Sequence, residues 1–112
     1  MTNAPPDKSW EDVVSAARTH VDALIGRLPE NLRGEALRIG CRFSKRSDDP
    51  HAQDSLGGYT RSGERISLYL DAIEEHCRAE GLDYLREIEI TYLHELGHHL
   101  GLEENDLEQR SL

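Results

Sequence analysis

The sequence predicts a small α+β domain, and three observations carry that prediction. Apolar residues recur at spacings of three and four near both ends of the chain, the pattern that lines one face of a helix. Between these segments, shorter stretches alternate apolar and polar residues, as a strand with one buried face does. At 112 residues the chain can bury one core, and it shows no internal repeat, linker or low-complexity segment. We therefore expect residues 1–8 to be a disordered N-terminal segment and residues 9–112 to form a single domain.

Ser9, followed by the acidic Glu11 and Asp12, reads as a helix N-cap with a favourable first turn. Trp10, Val13, Val14, Ala17, Val21, Leu24, Ile25 and Leu28 then make one stripe, and Pro29 ends it. After a connection over Asn31 to Glu35, the alternation of Leu37, Ile39, Cys41 and Phe43 predicts a strand. Ser44 to Ser55 has neither period and reads as a loop. A second strand is expected around Leu56 to Tyr59, and a third where Ile66, Leu68 and Leu70 alternate with Ser67 and Tyr69; a meander is the simplest arrangement. Asp71 to Glu80 reads as a short helix ended by Gly81. Asp83 can cap the last long helix, whose core face would carry Leu85, Ile88, Tyr92, Leu96 and Leu100, with Gly101 ending it. Leu102 to Leu112 is acidic, and an irregular turn or short helix is expected there.

Composition narrows the function. Thirteen basic against 22 acidic side chains give a net charge of -9, which repels a phosphate backbone, so nucleic acid is not an expected partner. No apolar run approaches the roughly 20 residues that span a bilayer, and the N-terminus lacks the basic and apolar regions of a secretory signal. A cytoplasmic protein without a membrane partner is the expectation. Cys41 and Cys77 have no ligand spacing to a third cysteine and read as reduced thiols.

The chemistry concentrates in His94-Glu95-Leu96-Gly97-His98, an H-E-x-x-H pattern on a segment that is helical by its periodicity. Residues four apart lie one above the other, so the two imidazoles can share one metal ion, for which zinc is the expected cofactor. Glu95 is turned about 100° from His94 and can act as general base toward a water activated by the metal. A catalytic zinc takes a third protein ligand. The spacing H-E-x-x-H-x-x-G-x-x-H continues here through Gly101 and places that ligand at Glu104, with Glu103 and Asp106 as rivals. Solvated acidic residues of a tail are the plain alternative for all three.

From Gly58 onward the chain resembles the minimal bacterial zincin-like metallopeptidases. The residues that carry the likeness are the Tyr59 segment, Arg65-Ile66-Ser67-Leu68-Tyr69, and Thr91 through Leu107 with its doubled histidine, its glycine and its acidic stretch. The resemblance implies a short, mostly antiparallel sheet packed against an N-terminal helix and a C-terminal active-site helix. It also implies that His94 and His98 bind zinc, that Glu95 is the catalytic base and that an acidic residue after the glycine completes the site. The metzincins need a later methionine-containing turn, and Met1 is the only methionine. A peptide or protein substrate is expected, lying along the free edge of the strand at Arg65 to Leu70. Tyr59, Tyr69 and His99 are candidate substrate-binding residues; packing in a half-buried strand is the commoner explanation for the tyrosines and at least an equal one for His99. Two other readings stay open: a non-catalytic zinc-binding interaction domain, and a regulatory protease specific for one partner.

Overall fold

Ser9 starts the first helix by accepting a hydrogen bond from the Asp12 backbone N–H at 3.1 Å, as its position ahead of two acidic residues predicts. In a computed structural model of the protein, which describes residues 9–101, this helix is α1 (Trp10–Gly26). It is followed by α2 (Glu30–Arg38), β1 (Gly40–Ser44), β2 (Gly57–Thr60), β3 (Arg65–Tyr69), α3 (Leu70–Glu80) and α4 (Tyr84–His99). The α+β class is as expected. The readings of residues 1–8 and of Leu102 to Leu112 lie outside the described residues.

The second helix departs from expectation. Residues 31–35 read as a connection and Leu37 as the start of a strand, yet Glu30–Arg38 is helical. Pro29 has φ -54° and stands at its N-cap, so the same residue that ends one helix presets the next. Ala36 is buried, while Leu37 is 71% exposed because it points outward from a helix. Gly34 in the middle and the absence of a side-chain cap hide this short helix from a sequence reading.

The sheet is mixed rather than a meander. Its strand order is β1-β3-β2, with β1 parallel and β2 antiparallel to β3. The register puts Cys41, Phe43, Ile66, Leu68, Gly57 and Tyr59 on one face and Arg65, Ser67, Gly58 and Tyr69 on the other. The first face packs against the helices, and Ile66 and Leu68 are wholly buried there. Because β3 is central and bonded on both sides, it offers no free edge, and the expectation of a substrate along Arg65 to Leu70 is corrected. The edge strand beside α4 is β2.

The core joins Val21, Leu24 and Ile25 of α1, Leu70, Ile73 and Cys77 of α3, and Ile88, Tyr92 and Leu96 of α4 to the inward residues of β3. The stripe on α4 is shorter than its periodicity suggests. Ile88, Tyr92 and Leu96 are at most 2% exposed, whereas Leu85 and Leu100 at its ends are about 40% exposed. Burial pushes the Tyr92 phenol up and the Tyr84 phenol up to about 12. Among the described residues no helix is long and apolar enough to cross a membrane.

Candidate active site

The position of the H-E-x-x-H segment follows from how α4 is seated. Asp83 caps the helix by accepting from the Arg86 backbone N–H at 2.9 Å, and Glu87 lies in its first turn. With Ile88, Tyr92 and Leu96 fixed in the core, the 100° step per residue turns Glu87, Thr91, His94 and His98 along one flank. His94 and His98 meet there edge to face, with ring centroids 4.9 Å apart and planes at 78°. Glu95, on the neighbouring side, is only 9% exposed.

What buries Glu95 and Thr91 is the close crossing of β2. A Cβ at Gly57 would lie 2.7 Å from Thr91 Cγ2, 2.9 Å from the Ser67 carbonyl oxygen and 3.5 Å from Glu95 Cγ. A side chain there would force strand and helix apart, so Gly57 is what lets β2 approach the turn of α4 that carries Thr91 and Glu95. Beside this crossing lies a cleft of about 290 Å³, whose lining includes Leu56, Gly57, Ile90, Thr91, His94 and Glu95. The structure thus places His94 and Glu95 at a concave surface, with the His98 ring against that of His94.

Two imidazoles four residues apart on one helix, with rings in contact, fit two positions of a zinc site. Among the described residues no three His, Cys, Asp or Glu side chains are gathered closely enough to hold a metal ion. Glu103, Glu104 and Asp106, the candidates for a third ligand, lie outside the described residues.

The remaining candidates separate. Tyr59 Oη and His99 Nδ1 are hydrogen-bonded at 2.8 Å, and His99 Nε2 lies 2.8 Å from Glu35 Oε1. The His99 side chain is only 6% exposed, so both residues are occupied in holding the end of α4 to β2 and α2. Arg38 extends this chain, donating to Glu35 at 2.9 Å and to both oxygens of Glu64 at 3.0 Å. The Arg38 guanidinium first, and His99 second, hold the Glu35 carboxyl down to about 2, and Arg38 also lowers Glu64. Tyr69 projects from the other face of the sheet, where its hydroxyl comes within 3.5 Å of the Cβ position of Gly58. The structure does not bring it to His94.

Sequence reasoning missed Glu35, Arg38 and Glu64, because their contacts pass through α2, whose residues read partly as a connection and partly as the start of a strand. It also missed Gly57, whose role depends on a helix over 30 residues away. Glu87 carried a readable signal, standing seven residues before His94 and so on the same flank.

The family model described as zincin-like metallopeptidase matches residues 46–112, more than half of the chain and all of β2 through α4. The chain belongs to the zincin-like metallopeptidases. No curated protein matches it.

Proposed function

We propose that this chain is a zinc-dependent peptidase in which His94 and His98 hold the metal and Glu95 is the general base. The observation that carries the reading is the pairing of the two imidazoles, 4.9 Å apart, beside an almost buried glutamate at the wall of a cleft. The third ligand comes from the segment after Gly101, with Glu104 the first candidate by spacing and Glu103 and Asp106 its rivals. Bound zinc supplies Lewis acidity toward a peptide carbonyl and toward water.

The chain's own residues do the rest. Glu95 takes the proton from the attacking water and returns it to the departing amine, a role that needs a carboxylate held within reach of the cleft. Its limited exposure, imposed by β2, keeps its rotamers few and its orientation toward the cleft fixed. β2 has β3 on one side and no strand on the other among the described residues. An extended peptide adds to that free edge through main-chain hydrogen bonds, which brings its backbone past His94 and Glu95.

The test is the Glu95→Gln variant. It removes the base while keeping shape and hydrogen-bonding capacity, so the variant retains zinc and loses hydrolysis of peptides that the parent cleaves. Hydrolysis at the parental rate would sink the assigned mechanism.

A further inference from the structure

The cleft does not end at His94. Following the flank of α4 toward its N-terminus, the wall passes Thr91 and Ile90 and reaches Glu87, and Leu56 also lines the cleft. Seven residues of helix separate Glu87 from His94, about 10 Å along the axis. Ile90 is 40% exposed, an apolar surface left open along this path. Glu87 is half-buried and, among the described residues, forms no ion pair and is the only acidic residue lining the cleft besides Glu95. The neighbouring acid Glu89, by contrast, is taken by α1, with His20 Nε2 at 2.7 Å and Arg27 at 3.3 Å.

From this arrangement we infer that the cleft is a specificity pocket for a lysine or arginine side chain of the substrate, with Glu87 at its far end as the recognition group; the inference rests on the peptidase reading above. A long basic side chain has the required form, an aliphatic stem with the charge at the tip. The stem lies along Ile90, Thr91 and Leu56, and the cation meets the Glu87 carboxylate, which is partly withdrawn from water and therefore screened less than a surface charge. A short side chain entering beside His94 and Glu95 leaves Glu87 unreached, and an acidic one is repelled by it. The net charge of -9 favours the same substrates at long range, because the field of the whole molecule attracts basic peptides.

The experiment measures binding apart from turnover. Zinc-loaded Glu95→Gln protein, full chain, is titrated calorimetrically with extended peptides that are identical except for Lys, Arg, Leu or Glu at one scanned position. The Lys and Arg peptides bind at least about tenfold more tightly than the Glu peptide at the best position, equivalent to about 1.4 kcal/mol. Adding Glu87→Gln brings the ratio close to one, Glu87→Lys inverts it, and raising salt shrinks it. Circular dichroism of each variant shows that the helix is retained. No preference for basic side chains, a preference that survives Glu87→Gln, or no peptide binding at all would overturn the inference. Cleavage by the parent is measured in parallel. Selective binding without any cleavage would count against the peptidase reading while leaving the pocket standing, so the two failures are distinguishable.

Discussion

Replacing Gly57 by alanine probes the contact on which the site is built. The added Cβ would sit 2.7 Å from Thr91 Cγ2 and 2.9 Å from the Ser67 carbonyl oxygen. Neither neighbour can step aside easily. Ser67 contributes backbone from the central strand, and Thr91 is β-branched, in a helix and 7% exposed, so its χ1 is confined. Relief requires β2 to move away from α4 by several tenths of an ångström, and overpacking of this kind costs about 1–3 kcal/mol. The adjacent Gly58 is the control, since its Cβ would lie 3.5 Å from the Tyr69 hydroxyl, an ordinary contact. Gly58→Ala should be neutral or stabilising by up to about 1 kcal/mol, because alanine restricts the unfolded chain more than glycine does. The two variants should therefore differ by about 2 kcal/mol in urea unfolding, and by roughly 8–16 °C in Tm for a domain of this size. Gly57→Ala within about 0.5 kcal/mol of Gly58→Ala would refute the claimed approach of strand to helix.

Ile88→Ala should destabilise by about 2–5 kcal/mol in chemical denaturation, whereas Leu85→Ala, three residues earlier on the same apparent stripe but 41% exposed, should stay within about 0.5 kcal/mol. Equal losses would contradict the burial assigned to α4. The Glu35 carboxyl, held down to about 2 by Arg38 and His99, contributes stability that is complete above its unfolded value of 4.5 and is lost as pH falls toward about 2. Glu35→Gln should thus flatten the fall in unfolding midpoint across that window, more clearly in low salt because the group is exposed; an unchanged pH profile would remove the network from the account. Burial raises the Cys41 thiol to about 12, so it should resist iodoacetamide at neutral pH in the native state and react in urea, as followed by mass spectrometry. Rapid native alkylation would show the thiol to be less sheltered than its position on the covered face of the sheet implies.

Local signals in the chain report some features well and others not at all. Ser9 and Asp83 cap helices as their sequence positions indicate, and Gly81 adopts φ +68° at the end of α3. Each depends on contacts within one turn, where residue type and conformation are directly coupled. The pairing of His94 with His98 is legible for the same reason, since their meeting is set by helix geometry alone. Strand order was not, because alternation tells which face of a strand is buried and nothing about its neighbours. Parallel pairing of β1 with β3, and the hydrogen bond from Gly40 N–H to the Glu64 carbonyl at 3.2 Å, arise from packing across more than 20 residues. α2 escapes a sequence reading because Leu37 continues the alternation of Ile39, Cys41 and Phe43 backward by one step, across what is a helix end. The same helix carries Glu35 and Arg38, whose contacts with His99 hold the end of α4.

The most direct test of the central claim is the metal content of the untagged protein by elemental analysis, beside the His94→Ala, His98→Ala double variant. Shared coordination by the two imidazoles predicts about one zinc per parental chain and none in the variant, with both proteins folded by circular dichroism. Absence of zinc from the parent after reconstitution, or equal zinc in parent and variant, would contradict it.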